Sequence, residues 1–231
     1  MSPVTLRRNP LRNVASAGPW RAMVYLFSYA PVGTVLFGGV LGVVVVSFVL
    51  NITWLGLPLL VGAAAIVRGA AQVERRRAVL IGRAVPARPR YPTGPGMFAK
   101  VRGAWRDLGT WRACAYLLLL FPALLIMDVV ALVLWVTTLA GVTLPAWFWS
   151  VPLKLPGGGR THGVWVGFAV NSLPLALLFA VGCAVVGLGV AYAVVGAALV
   201  HARVARSMLG PDVDPLAEAK RMLVSPGPLT V

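Results

Sequence analysis

The sequence WRAMVYL at residues 20–26 recurs as WRACAYL at residues 111–117, and the same offset of 91 residues (111 minus 20) places Pro31 onto Pro122. Each copy follows basic residues and opens a long apolar run. A repeat at a fixed offset indicates a duplicated unit. Tryptophan beside arginine is typical of the level at which a helix enters a bilayer. The sequence therefore predicts two copies of one membrane-entry unit that enter from the same face.

The composition is typical of a polytopic membrane protein. The chain is 59% hydrophobic and 12% charged, whereas soluble domains are near half apolar and about a quarter charged. Four apolar runs predict an all-α fold with spans at about residues 22–48, 55–71, 113–139 and 173–200. The membrane domain then covers residues 22–210, with a basic N-terminus at 1–21, a linker at 72–112, a loop at 140–172 and a tail at 211–231.

The net charge of +15 is concentrated in three segments. Of the 21 lysines and arginines, four lie in residues 1–21, eleven in 68–112 and four in 201–231. The positive-inside rule assigns these segments to the cytoplasm. We therefore predict a multi-pass protein of the plasma membrane with both termini cytoplasmic and the loop 140–172 outside. This distribution explains the charge by topology and favours the lipid bilayer, not nucleic acid, as the partner.

The two copies predict two helical hairpins, arranged as parallel repeats related by an axis along the membrane normal. The linker between them contains a basic amphipathic helix, because Phe98, Val101, Trp105 and Leu108 recur at helical spacing among charged residues. We expect this helix to lie in the cytoplasmic headgroup layer. Within the loop, residues 164–172 are apolar, and their pattern leaves a helix, a re-entrant piece and an external loop open.

Aromatic and small residues predict where the helices meet lipid and where they meet one another. The tryptophans expected at the membrane interface are Trp20, Trp105, Trp111, Trp147 and Trp149. Small residues spaced four apart allow close helix packing. They are Gly38 and Gly42 in the first span, and Cys183, Gly187 and Ala191 in the fourth. Packing inside the bundle is one interpretation of these patterns, and a seam between two copies of the chain is the other.

Asp128 is the most informative single residue, because it lies among apolar residues near the middle of the third span. An acid within a membrane span is a functional candidate by default. Its repeat equivalent is Phe37, and no lysine or arginine is predicted at its depth. We expect it to be protonated, to face a wet cavity or to bond a hydroxyl such as that of Thr34 or Ser47. A proton-sensing or ligand-sensing site is one hypothesis, and a packed neutral acid is the alternative.

The sequence contains no motif of an enzyme. His162 and His201 are predicted on opposite faces of the membrane, so they do not share a site. Of the six acids only Asp128 is predicted within the bilayer, which leaves no carboxylate pair there for general acid–base chemistry. The phosphate-binding Gly-x-x-x-x-Gly-Lys and the zinc-binding His-Glu-x-x-His are both missing. We therefore predict a non-catalytic protein with no cofactor and no metal site.

Several short motifs resemble a known family. They are Tyr25-Leu26 with Pro31, the GLPLL run at residues 56–60, Glu74-Arg75, Tyr116-Leu117 to Pro122, the WFW run at residues 147–149, and Leu209-Gly210-Pro211. Over residues 20–211 the chain resembles the family called the putative sensor domain, which occurs at the N-terminus of many bacterial histidine kinases. The resemblance implies a four-helix sensory input module of a two-component system. Because no kinase domain accompanies it here, it implies action through a separate partner protein.

The function predicted from these observations is that of a membrane sensor or signal-input module. One alternative is a small transporter, or the membrane subunit of one, which parallel repeats and an intramembrane acid would suit. A second alternative is a scaffold that only organises a partner.

Overall fold

The computed structural model describes residues 4, 9–52, 56–86, 96–150, 153–154, 160–161, 164–165 and 168–211. Its helices are α1 (Pro10–Val14), α2 (Ala17–Val49), α3 (Gly56–Arg77), α4 (Met97–Arg106), α5 (Leu108–Cys114), α6 (Phe121–Val142), α7 (Leu144–Trp147) and α8 (Leu173–Leu209). The helices α2, α3 with the turn that follows it, α6 and α8 are long and apolar enough to cross a membrane. The predicted all-α fold with four membrane helices is confirmed. The tail beyond residue 211, His162 and the glycines at 157–159 lie outside the described residues.

Side-chain caps and prolines begin the helices. The Ser16 hydroxyl accepts from the Gly18 N–H at the start of α2, and Asp107 accepts from the Gly109 N–H at the start of α5. Pro174 occupies the first turn of α8, where its missing N–H removes no helical bond. The long helices α2 and α8 extend beyond the apolar runs that predicted them, because a helix continues into polar sequence until a cap or a turn residue stops it.

The first two long helices form a hairpin. A 3-10 turn at Leu50–Ile52 follows α2, and another at Ala78–Ile81 continues α3 to Gly82, whose φ of 71° ends the helix. At the open end of the hairpin the Arg21 guanidinium donates to the Leu80 carbonyl at 2.7 Å. This bond holds the start of α2 beside the end of α3.

The third long run is made of α5, a π turn at Ala115–Leu119 and α6. The Leu120 N–H bonds the carbonyl five residues earlier, at Ala115, with 3.1 Å between the two atoms. Pro122 follows at the start of α6, where no helical N–H is required. Pro31, the repeat equivalent, instead lies inside α2, which continues unbroken to Val49.

Two ring contacts give the relative direction of α2 and α6. Trp20 packs edge-on against Trp135 with ring centroids 5.6 Å apart, and Phe37 stacks on Phe121 at 4.7 Å. Between these contacts the residue numbers rise along α2 and fall along α6, so the two helices run antiparallel. This differs from the predicted parallel repeats, in which equivalent helices share a direction. The physical reason is the aromatic packing between α2 and α6, which joins residues far apart in the sequence and which the charge distribution does not record.

The amphipathic helix α4 packs along α3. The Trp105 indole N–H donates to the Leu60 carbonyl at 3.0 Å, and the Trp105 ring lies 6.3 Å from that of Phe48. Arg68 forms an ion pair with Asp107 at 3.3 Å. The helix α4 therefore lies near the turn that joins α2 to α3. A position in the cytoplasmic headgroup layer would instead place it beside the end of α3.

The connection before α8 contains two short antiparallel strand pairs. Strand β1 (Leu153–Lys154) pairs with β2 (Arg160–Thr161), and β3 (Val164–Trp165) pairs with β4 (Phe168–Ala169). The apolar stretch at 164–172 therefore begins with a short strand pair and not with a helix, and its position relative to a bilayer stays a prediction.

The apolar core is divided along the length of the molecule. One group centres on Tyr25, Trp135 and Ala198, where α2, α6 and α8 meet. A second centres on Val67 and Phe121, where α2, α3, α6 and the end of α8 meet. A third and smaller group joins α7 to the start of α8. Buried polar side chains lie at the junction of the first two groups.

Candidate functional site: a buried polar cluster

Asp128 lies against a histidine. The carboxyl oxygen Oδ2 of Asp128 is 2.8 Å from Nδ1 of His201, and the two side chains are 1% and 0% exposed. Asp128 comes from the first third of α6, and His201 from the last quarter of α8. The two long helices run antiparallel in close contact, since a Cβ on Gly187 of α8 would lie 2.9 Å from the Thr138 methyl of α6. This packing is what brings the acid and the imidazole to one level.

The second nitrogen of His201 continues the network. Nε2 lies 3.0 Å from the hydroxyl of Tyr116, which donates to Oε2 of Glu74 at 3.3 Å. Tyr116 belongs to the π turn, and Glu74 to the last turn of α3. Both side chains are fully buried. One hydroxyl therefore joins the histidine of α8 to the acid of α3.

Arg77 of α3 extends the network to α2. It forms a buried ion pair with Oε2 of Glu74 at 2.7 Å. Its Nη2 also donates to the Tyr25 carbonyl at 2.8 Å and to the Ser28 hydroxyl at 3.0 Å. A buried carboxylate is stabilised only when it is paired and hydrogen-bonded, and Arg77 supplies both for Glu74.

Two tyrosine rings of α2 enclose the charged groups. The Tyr29 ring is perpendicular to that of His201 with centroids 4.4 Å apart, and the Tyr25 ring is 5.2 Å from it. The Arg77 guanidinium lies 5.1 Å from the Tyr25 centroid and 5.0 Å from the Tyr29 centroid. Cation–π attraction therefore adds to the ion pair. We call the seven residues Tyr25, Tyr29, Glu74, Arg77, Tyr116, Asp128 and His201 the polar cluster.

Three buried oxygens of the polar cluster accept or donate no hydrogen bond within the described part of the chain. They are Oδ1 of Asp128, Oε1 of Glu74 and the Tyr25 hydroxyl. Such atoms are uncommon in protein interiors because each forfeits its hydration. Each carboxyl group thus uses one oxygen in the network and keeps the other available.

The expected hydroxyl partners of Asp128 lie elsewhere. The Thr34 hydroxyl donates to the Ala30 carbonyl and the Ser47 hydroxyl to the Val43 carbonyl, each at 2.6 Å within α2. In an apolar helix this local bond satisfies the hydroxyl without a distant partner. The structure therefore pairs Asp128 with His201, and not with Thr34 or Ser47.

The predicted interface tryptophans have varied surroundings. Trp20, Trp111 and Trp149 are about half exposed or more. The Trp111 indole donates to the Trp105 carbonyl and the Trp147 indole to the Thr143 hydroxyl. Their position relative to a bilayer stays a prediction.

The two small-residue patterns also differ. A Cβ on Gly38 or Gly42 would meet no atom within 4 Å, so this face of α2 is uncovered in the part of the molecule described. Gly187 and Ala191 instead face the contact between α8 and α6, and Cys183 is half-buried on the same helix.

Sequence analysis missed most of the polar cluster. The sequence predicts His201 just beyond the fourth span, and it predicts Glu74 and Arg77 within the cytoplasmic linker at 72–112. One signal was present: both repeat tyrosines, Tyr25 and Tyr116, lie beside His201. The tyrosine that both copies of the motif share is therefore the sequence feature that indicates the position of the cluster.

A model of the family described as "Putative sensor" matches residues 25–209. The match begins at Tyr25 and ends at Leu209, so it contains the whole polar cluster. No curated protein and no solved structure matches the chain.

Proposed function

Because the chain belongs to this sensor family, we propose that it is a non-catalytic signal-input module of a bacterial plasma membrane, which acts through a partner protein of a two-component system. In this proposal the chain detects a stimulus within its helices and changes the relative position of their ends. A separate kinase or regulator bound to those ends carries the signal onward.

The observation that supports the proposal is the polar network through four helices. Hydrogen bonds and ion pairs run from Asp128 on α6 to His201 on α8, through Tyr116 to Glu74 on α3, and through Arg77 to the backbone of α2. Buried networks of this kind have few alternative arrangements, because every group that loses its partner is left unsatisfied. A change at one member is therefore transmitted to the helices that carry the others.

The basic residues support an orientation with both termini cytoplasmic. Glu74, Arg77, Tyr116 and His201 then belong to the cytoplasmic ends of their helices. A partner in the cytoplasm would contact the same ends, so the polar cluster would lie directly above the partner's binding site. The uncovered face of Gly38 and Gly42 suits lipid or a second copy of the chain.

Photo-crosslinking in native membranes tests the sensor role. A photoreactive residue replaces exposed Arg203 near the end of α8, and the captured protein is identified and its phosphorylation measured. We expect a kinase or response regulator whose phosphorylation changes in Asp128→Asn, because the amide keeps the shape of the acid and removes its titratable proton. Thr34→Ala is the matched control, since that hydroxyl bonds only within its own helix.

The same variants separate the alternatives. A partner captured equally, with unchanged phosphorylation in Asp128→Asn, would make the chain a scaffold. Solute or proton flux through proteoliposomes of the purified chain, lost in Asp128→Asn, would make it a transporter. Either result contradicts the sensor proposal.

A further inference from the structure

The hydroxyl of Tyr116 has two neighbours and one proton to donate. Its oxygen is 3.0 Å from Nε2 of His201 and 3.3 Å from Oε2 of Glu74. Glu74 accepts hydrogen bonds when it is ionised beside Arg77, so it can only receive the Tyr116 proton. His201 can donate or accept at Nε2, and its state therefore decides where the Tyr116 proton points.

We propose that the stimulus of this module is the proton, bound by the Asp128–His201 pair, and that Tyr116 reports its binding to Glu74 by reversing a hydrogen bond. The role of this reversal as a signal rests on the sensor function proposed above. The binding and the reversal themselves rest on the geometry of the polar cluster.

With the proton bound, the network has one consistent direction. Whether the proton is counted on the imidazole or shared with the Asp128 carboxyl, Nε2 of His201 carries a hydrogen and donates to the Tyr116 oxygen. The Tyr116 hydroxyl then donates to Glu74. Every donor between His201 and Glu74 has an acceptor in this state.

Loss of the proton to solvent changes that direction. The ionised Asp128 accepts from Nδ1, so the remaining imidazole hydrogen lies there and Nε2 becomes an acceptor. The Tyr116 hydroxyl must now donate to His201 and abandons Glu74. In net terms the Nε2–H bond of His201 breaks and its proton forms a bond to water; no bond between heavier atoms changes.

The net charge of the polar cluster differs between the state with the proton bound and the state without it. The titratable groups that contact His201 are Tyr25 and Tyr29 of α2, Tyr116 of the π turn and Asp128 of α6. Glu74 and Arg77 of α3 lie behind them, where Glu74 bonds Tyr116 and Arg77 lies over the two α2 rings. With the proton bound, the two carboxylates are balanced by Arg77 and the imidazolium. Without it, one negative charge is left over in the interior, and this charge favours entry of water or separation of the helices around it.

The reversal acts between the two hairpins. Glu74 and Arg77 are tied to α2, while Asp128 and His201 tie α6 to α8. Tyr116 bonds to both groups. When its proton leaves Glu74, α3 loses a bond to the second hairpin and keeps its attachment to α2. We therefore expect the ends of α3 and α8 to move relative to each other when the proton is lost.

Nuclear magnetic resonance of the full chain in lipid nanodiscs tests the binding step. The chain has two histidines, so His162→Gln leaves His201 as the single source of imidazole ¹⁵N signals. We expect these signals to change with pH, because loss of the proton from the Asp128–His201 pair removes the hydrogen from Nε2. The Tyr116 ring signals, assigned by comparison with Tyr116→Phe, should shift at the same pH.

A distance measurement tests the coupling. Spin labels at exposed Val79, after α3, and exposed Val200, on α8, are placed in a Cys114→Ala, Cys183→Ala background. We expect the label distance to change across the His201 titration. Tyr116→Phe should abolish that change while His201 still titrates. Tyr25→Phe is the matched control, because its hydroxyl has no hydrogen-bond partner in the described network, and it should retain the change.

Imidazole ¹⁵N signals that stay unchanged across the pH range would overturn the proposal, as would a distance change that persists in Tyr116→Phe. A normal titration and a normal distance change, with no effect of pH on any captured partner, would support the switch and remove the sensor function.

Discussion

The two copies of the repeated motif have nearly the same residues and different roles. Tyr25 and Tyr116 are both fully buried beside His201. Tyr116 uses its hydroxyl, which bonds His201 and Glu74. Tyr25 uses its backbone carbonyl and the face of its ring, both directed at Arg77. The comparison teaches that a repeat can bring the same type of side chain to one site from both copies, while only one copy uses the polar group of that side chain.

The backbone of the two copies differs as well. The first motif runs through Pro31 inside an unbroken helix, and the second reaches Pro122 through a π turn. The π turn places Tyr116 where its hydroxyl meets two polar groups. The continuous α-helix leaves Tyr25 with its hydroxyl unbonded among the described residues. Local backbone geometry, and not residue identity, thus separates the two roles.

The orientation of the two hairpins in the membrane is the strongest test of the comparison between the two copies. The basic residues place both hairpin tips outside, whereas the antiparallel packing of α2 and α6 places them at opposite ends. Single cysteines replace Ile52 and Trp149, which are both exposed. Intact cells are then treated with an impermeant maleimide. We expect both to react, because flanking charges act on each hairpin as it inserts, before the helices pack.

Reaction at only one of these positions would show that packing sets the orientation of the second half. Reaction at both requires α6 and α8 to turn over relative to α2, which breaks the Trp20–Trp135 contact. The ion pairs within each hairpin, Glu74 with Arg77 and Asp128 with His201, are compatible with both results. The ring contacts of Tyr25 and Tyr29 with His201 join the two hairpins and would have to form again after such a rotation.

Removal of Arg77 should have the largest effect on stability. Arg77→Met leaves Glu74 buried without its positive partner and leaves the Tyr25 carbonyl without its donor. The loss of a partner from a buried ion pair costs about 3–5 kcal/mol. Exposed Arg76 gives the control, and Arg76→Met should change the free energy of unfolding by no more than about 0.5 kcal/mol. Unfolding of the purified protein in mixed micelles measures both, and equal effects would contradict the arrangement.

The two repeat tyrosines give the most direct test of the comparison. Tyr116→Phe removes a hydroxyl that bonds two buried groups, and should cost about 1–3 kcal/mol. Tyr25→Phe removes a buried hydroxyl without a described partner, and should be neutral or slightly stabilising. The same unfolding measurement compares them. A larger loss for Tyr25→Phe than for Tyr116→Phe would reverse the roles assigned to the two copies.

Two glycines of α2 test how closely the two copies approach each other. A Cβ at Gly33 would lie 2.9 Å from the Phe121 ring and 3.1 Å from the Tyr29 ring, whereas one at Gly38 meets nothing within 4 Å. Gly33→Ala should therefore destabilise the chain by about 1–3 kcal/mol. Gly38→Ala should stabilise it by up to about 1 kcal/mol through helix propensity. Thermal unfolding of the pair checks the difference, and a shift of the same sign in both variants would contradict the close approach of α2 to Phe121.

Much of the fold could be predicted from apolar runs alone. The four long helices, their order and the helix at residues 97–106 follow from local patterns, because a membrane helix must be long and apolar along its own sequence. The direction of α6 relative to α2 and the position of α4 could not be predicted. They depend on contacts between distant residues, such as Trp20 with Trp135 and Trp105 with Leu60.

The site could be predicted only in part. Asp128 stands out because an acid is rare among apolar residues. His201 and Glu74 do not, because each lies in a polar stretch where a charged residue is ordinary. Their burial results from the length of α8 and α3 beyond the apolar runs, together with the packing of helix ends, which no local pattern records. Thr34 and Ser47 were the nearest candidates by composition, but each hydroxyl is satisfied within its own helix.

The π turn at Ala115–Leu119 makes chain length itself a determinant of the site. In a regular α-helix, Tyr116 and Asp128 would point about 120° apart, since each residue advances by roughly 100°. Absorbing one extra residue in a π turn reduces the difference to about 20°. Deleting a single residue from this turn would let it close as a regular α-helix with the same difference of about 20°, whereas inserting one more residue would rotate the whole of α6 by about 100° and turn Asp128 away from His201. A one-residue insertion here should therefore be tolerated less well than a one-residue deletion.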